Sequence, residues 1–156
     1  MTQIASARTE EEVLTILTEG VNKVLDTSAS GVAIVEMHSR SLVGQCGAPP
    51  DAWPNIKKIR ISLDDPSSVS AEAFRSKGPV AVSDAEKDQK AKKWVVRFYR
   101  EKAVMAVPIM VRGEVYGCLV VSERESARVF TEEEKRIAAL LAAKAGAVIE
   151  NLPPAT

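Results

Sequence analysis

The sequence predicts an α+β domain: a central antiparallel sheet of five to six strands with helices on both faces. Three observations carry this expectation. Lys102 to Val111 (KAVMAVPIMV) and Val115 to Val121 (VYGCLVV) are apolar runs of strand length joined by Arg112-Gly113-Glu114, and a glycine in so short a turn favours an antiparallel hairpin. Both runs are apolar on both faces, so other layers must cover both sides of the sheet. Amphipathic helical patterns near both termini supply such layers.

From the N-terminus, Thr9 and Glu12 have the spacing of a capping box. Val13, Ile16, Leu17, Val21, Val24 and Leu25 follow on one helical face, which predicts a helix from about Thr9 to Leu25. Thr27 to Gly31 breaks it. Val32 to Met37 reads as a strand, His38 to Ser41 as its turn, and Leu42 to Cys46 as the return strand. Gly47 to Pro54 (GAPPDAWP) holds three prolines and reads as loop. Lys58 to Leu63 alternates Ile59, Ile61 and Leu63 with polar residues, as a half-buried strand does. Asp64 to Ser68 ends it. A short helix from about Ser70 to Ser76 stops at Gly78-Pro79, and Val80 to Val82 is a short strand. Ser83 and Glu86 have the spacing of another helix start. That helix is expected to run to about Arg100, with Ala91, Trp94, Val95 and Phe98 as its apolar face.

After the hairpin, Thr131 and Glu134 frame a second capping box. Three glutamates occupy the first turn, where the helix dipole favours negative charge. Ile137, Leu140, Leu141, Ala145, Val148, Ile149 and Leu152 then recur at helical spacing. Pro153 and Pro154 cannot continue the helix. Residues 1–152 thus read as one domain and 153–156 as a tail. The chain is expected to be a stand-alone protein or an N-terminal input domain.

The 156 residues can bury one sizeable core, roughly 70% of the unfolded surface. Basic and acidic residues balance at 21 each. A general nucleic-acid binder would need a basic surplus, so no nucleic-acid partner is expected. No apolar run approaches the ~18 residues that span a bilayer, so no membrane partner is expected either. Residues 1–8 lack the apolar segment of a secretory signal. Two cysteines, Cys46 and Cys118, are too few for a disulfide framework; a cytoplasmic setting is expected.

Four words of the second half occur in a particular order. They are Ala106-Val107-Pro108-Ile109, Arg112-Gly113-Glu114-Val115-Tyr116-Gly117, Phe130-Thr131-Glu132-Glu133-Glu134 and Val148-Ile149-Glu150-Asn151. Together with Arg75 to Asp84 they resemble a GAF domain, over roughly Glu10 to Asn151. The resemblance implies a PAS/profilin-like α+β fold and a sensory or regulatory module binding a small molecule. It further implies a homodimer formed through the terminal helices and a possible output domain or partner signalling protein. The chain departs from many relatives at Asp64 to Val69, where they carry a glycine-rich turn.

The resemblance also raises specific chemistries. A branch of the family reduces free methionine sulfoxide using cysteines near its pocket; here no cysteine lies between Gly47 and Gly117. The same gap disfavours a covalently attached bilin. His38 sits in an expected turn, so neither a haem ligand nor a zinc cluster is supported. Asn22-Lys23 does not begin a cyclic-nucleotide signature. No serine has the partners of a hydrolytic triad. Cys46 and Cys118 in apolar strands are expected to be inert thiols. No catalytic residue, metal ligand or particular cofactor is therefore expected. The candidate ligand-binding residues are Trp94, Arg97, Phe98 and Tyr99 on the Ser83–Arg100 helix, Asp84 at its start, and Met105 on the facing strand. Aromatic walls with a few basic groups would suit a flat or anionic small molecule. A solvated basic face over an aromatic core stripe is the alternative reading of that helix. A ligand-free dimerisation module and a reductase-like enzyme are the alternative readings of the whole chain.

Overall fold

The computed structural model describes residues 2–153; Pro154, Ala155 and Thr156 of the expected tail lie outside the described residues. Ahead of the first expected helix stands a short one that the sequence pattern did not give, α1 (Thr2–Ala5), which buries Ile4 completely. Helix α2 (Glu10–Leu25) starts as expected, the Thr9 side chain accepting from the Glu12 N–H at 3.2 Å. The Glu12 carboxylate does not close the box on Thr9; it accepts from the Arg8 N–H.

Strands β1 (Ala29–Glu36), β2 (Ser41–Ala48) and β3 (Arg60–Ser62) follow. Then come α3 (Val69–Ser76), capped by Ser68, and β4 (Val80–Val82). After α4 (Lys93–Tyr99) the chain forms β5 (Ala103–Val111), β6 (Glu114–Glu123) and α5 (Glu132–Glu150). The strands form one sheet in the order β3-β2-β1-β6-β5-β4, and every pair of neighbours is antiparallel. This is the α+β architecture expected. At α5 the capping box is complete: Thr131 accepts from the Glu134 N–H, and Glu134 accepts from the Thr131 N–H.

Alternation along the strands divides the core in two. Met105, Val107, Ile109, Leu119 and Val121 point to one face, with Leu14, Leu17 and Val21 of α2 and Ala138, Ala142 and Ile149 of α5. Val104, Ala106 and Cys118 point to the other face, with residues of α3 and α4. The buried stripe of α5 is narrower than expected and, apart from Ile149, made of small residues, while Leu140 is exposed. Its alanines and Gly146 let the sheet approach: a Cβ on Gly146 would lie 2.1 Å from the Met110 carbonyl oxygen.

The expected helix from Ser83 to Arg100 is corrected to α4 alone. Residues 83–92 are turns. Asp88 accepts from the Lys90 N–H at 2.8 Å, and Lys93 Nζ donates to the carbonyls of Ala85 and Asp88. These local bonds occupy groups that a helix would need.

Candidate functional site

On the α3/α4 side the layers do not close against the sheet, and a cavity of about 80 Å³ remains. Its sheet wall is Ala33, Leu42, Val104 and Val120; its helix wall is Val69, Val95, Val96 and Tyr99. The third wall is the proline-rich loop, through Trp53 and Ile56.

Glycines on the first hairpin seat that loop. A Cβ on Gly47 would lie 2.2 Å from the Trp53 ring, and one on Gly44 would lie 2.0 Å from the Ile56 carbonyl oxygen. Only residues without a side chain allow a loop to lie this close to the strand. Trp53 is consequently 7% exposed. Its ring centroid is 4.7 Å from that of Tyr99, whose hydroxyl donates to the Pro54 carbonyl at 3.0 Å. The Arg124 guanidinium lies 4.6 Å from the Trp53 ring centroid and 5.5 Å from that of Tyr99. Arg124 also donates to the Ala52 carbonyl and to the Ser122 hydroxyl.

Glu101 completes the cluster. It lines the cavity at 5% exposure, immediately after α4. Burial pushes its carboxyl up to about 7, while a hydrogen bond with Ser122 and the charge of Arg124 pull the other way. Trp53 Nε1, Glu101 Oε2 and Arg124 Nη2 are buried without a hydrogen-bond partner among the described residues. Each such atom forfeits about 1–3 kcal/mol of solvation unless something pairs with it. Two other polar side chains of the lining are engaged. Lys92 Nζ is 2.5 Å from Asp65, and the Ser68 hydroxyl caps α3.

Neither thiol lines this cavity. Cys118 is fully buried, with its Sγ donating to the Ser70 carbonyl, and burial pushes it up to about 12. Cys46 packs against the α2/α5 core and is pushed up to about 11, first by burial and then by Glu11. Both are protonated at neutral pH.

The family model of the GAF domain matches residues 7–150. The chain belongs to the GAF domain family. No curated protein matches. Among solved structures, the GAF domain of a phosphoenolpyruvate-protein phosphotransferase from Coxiella burnetii superposes with a TM-score of 0.81 at 19% identity, covering 95% of this chain and 86% of that chain. A methyl-accepting chemotaxis protein fragment gives 0.78 at 23% identity, covering 95% of this chain and 93% of that one. A free methionine-R-sulfoxide reductase from Neisseria meningitidis, solved with its substrate, gives 0.78 at 18% identity, covering 96% and 83%. These likenesses establish the fold.

Within this GAF domain the expected site residues separate. Tyr99 lines the cavity. Trp94 and Phe98 do not: they are 47% and 49% exposed, and Val96 and Tyr99 are the buried residues of α4. Arg97 is on the surface, paired with Glu86 at 3.0 Å. Asp84 sits in the turn before α4, its carbonyl accepting from Lys87 and Asp88. Met105 is wholly buried, but on the α2/α5 face, because β5 alternates and Val104 takes the cavity side. The sequence places Trp53 only in a proline-rich loop, where it is expected to respond little to a ligand, and Glu101 and Arg124 are not among the candidate residues. The glycines at 31, 44 and 47 opposite a loop tryptophan were the one signal available for Trp53. Glu101 and Arg124 stand in charged stretches that look like solvated turns.

Proposed function

We infer that this GAF domain is a non-catalytic sensory or regulatory module that binds a small molecule between the sheet and α3/α4. The observation that carries this reading is the apolar cavity, two of whose lining residues, Trp53 and Glu101, each carry a buried, unpaired polar atom. A filled structural core has no use for such atoms, whereas a ligand site uses a few of them to fix orientation. The protonated thiols outside the cavity speak against a reductase of the kind found among the structural neighbours.

A short connection supports transmission to the terminal helices. Arg124, stacked on Trp53 and Tyr99, follows directly after Glu123 in the chain. Glu123 accepts from Arg128 at 3.2 Å. Arg128 donates to the Leu25 and Asp26 carbonyls at the end of α2 and to Glu134 in the first turn of α5. A ligand that displaces Arg124 would thereby bias how α2 and α5 are held, to the extent that it prefers one arrangement. Val24 on α2 and Leu140 on α5 are exposed apolar residues through which a second copy or an output partner would read that change. Leu140→Glu should then turn a dimer into a monomer by light scattering; a wild type that is monomeric at high concentration would remove the dimer from this reading.

A thermal-shift screen with nucleobases, amides, amino acids and 2-oxo acids tests the binding function. A ligand at about 100 times its Kd adds about 2.7 kcal/mol, which raises Tm by roughly 5–10 °C at this size. A silent screen across all classes would favour the ligand-free dimerisation module.

A further inference from the structure

Helix α4 has an inner and an outer face, and the cavity accounts only for the inner one. Val96 and Tyr99 are buried and line the cavity. Trp94 and Phe98 stand one turn apart on the outer side, 47% and 49% exposed. Of the exposed large apolar residues among those described, they are the only aromatic ones and the only two on one element. Phe98 packs edge-on against Tyr99, with ring centroids 5.0 Å apart, so its ring is placed before any partner arrives.

Cations surround this pair. Arg97 follows Trp94 by three residues and shares its side of the helix. Its ion pair with Glu86 leaves the two side chains 69% and 53% exposed, and so open a pair contributes little and is easily exchanged. Lys90 and Arg100, exposed just before and just after the helix, have no ion pair among the described residues. Residues 87–102 carry seven cations against two carboxylates, Asp88 and the buried Glu101. The chain as a whole is neutral, so the surplus is local to this segment.

Tryptophan and arginine side by side are what the centre of an interface carries, and a charged rim steers a partner of opposite sign. An apolar anchor would cover Trp94 and Phe98, and carboxylates beside it would meet the cations. The chain's own acidic runs do not offer this. Glu10–Glu12 and Glu132–Glu134 lead into apolar residues that the core already holds. A lipid surface takes side chains that reach about 5–10 Å into it, whereas two half-sunk rings on a helix of seven residues make a low floor. A nucleic acid draws on a net basic charge that the chain lacks.

We propose that the outer face of α4 docks an acidic protein segment: an aliphatic or aromatic anchor on Trp94 and Phe98, with flanking carboxylates on Arg97, Arg100 and Lys90. The partner then sits on the reverse of a cavity wall, whatever the cavity holds.

A random dodecapeptide library displayed on phage and panned on the full chain tests it. Enriched peptides should combine a large apolar residue with a surplus of aspartate and glutamate. The tightest of them, fluorescein-labelled, is then titrated by anisotropy. Trp94→Ala and Phe98→Ala should each weaken it by about tenfold or more. Arg97→Glu should weaken it about fivefold, and wild-type binding should fall as salt rises. Glu86→Gln, which frees Arg97, should tighten it about twofold. Melting curves check that each variant is folded. Peptides enriched without an acidic surplus, or bound equally by Trp94→Ala, would overturn the proposal, and so would a panning that enriches nothing. Vesicles of phosphatidylcholine and phosphatidylglycerol, and an oligothymidylate, should leave the chain unbound. Binding to either that Trp94→Ala abolishes would give this face to a lipid or a nucleic acid and overturn the proposal.

Discussion

The α2/α5 side of the sheet and the α3/α4 side are built from alternate residues of the same strands, yet they are finished differently. Under α2 and α5, long helices bury wholly inaccessible aliphatic side chains, and the alanine stripe of α5 brings that helix close to the sheet. Under α3 and α4, two helices of eight and seven residues meet the sheet with a cavity between, lined partly by a loop tryptophan and a buried glutamate. Two short helices cannot seal the area that two long ones cover, so a loop has to form the third wall. The comparison teaches that one face holds the domain together while the other is left incompletely packed, which is what the proposed ligand site requires.

Equal truncations on the two faces should have unequal costs. Leu17 and Leu42 are both fully buried, but Leu42 already borders the cavity. Leu17→Ala should cost about 4–5 kcal/mol and Leu42→Ala about 2–3 kcal/mol by urea denaturation, since new void is dearer in the tighter layer. Equal losses would dissolve the distinction.

Glycine replacement should follow the same order at smaller size. A Cβ on Gly146 meets the backbone of β5, which the sheet fixes; a Cβ on Gly44 meets the Ile56 carbonyl in a surface loop that can move. Gly146→Ala should cost about 2–3 kcal/mol and Gly44→Ala about 1–2 kcal/mol, with the latter also shifting Trp53 emission. The reverse order would mean that the loop is the more rigid of the two.

Glu101 sharpens the contrast through pH. Burial raises it from the ordinary 4.5 to about 7, so the folded state binds its proton more tightly than the unfolded chain. The stability this provides is full below about pH 4.5 and is lost as pH rises towards 7. Glu101→Gln removes the titration. The variant should therefore gain on wild type by on the order of 2 kcal/mol between about pH 5 and pH 8. Parallel stability profiles would place Glu101 in contact with water.

The smallest effect is expected on the outer surface of α4. Trp94→Phe and Phe98→Ala, at half-exposed positions, should each change stability by no more than about 0.5–1 kcal/mol.

How much of this was legible in the sequence follows the same division. The well-packed face was readable, because local signals and tertiary packing agree there: the Thr131–Glu134 capping box, the hairpin of β5 and β6, and the apolar run of α2 all stand where their patterns put them. On the cavity face α3 and β4 stand where the sequence put them, but the segment leading into α4 and the residues of the site do not. Ser83 and Glu86 imitate a helix start, but Asp88 and Lys93 satisfy the backbone locally instead. In a helix of seven residues, periodicity fits either the Trp94–Phe98 stripe or the Val96–Tyr99 stripe. Tyr99 is drawn inwards by contacts with Trp53 and Pro54, far away in sequence. Glu101 and Arg124 acquire their meaning only when the sheet sets them beside Trp53.

Amide chemical-shift mapping tests the central claim most directly. With a ligand from the thermal-shift screen added to the isotopically labelled protein, the account predicts that the largest shifts fall at Gly31, Gly44, Glu101 and Val120 around the cavity. Smaller shifts should reach Arg128 and the first turn of α5, and the middle of α2 should stay unchanged. Shifts concentrated on α2 and α5, with the cavity amides unmoved, would contradict it.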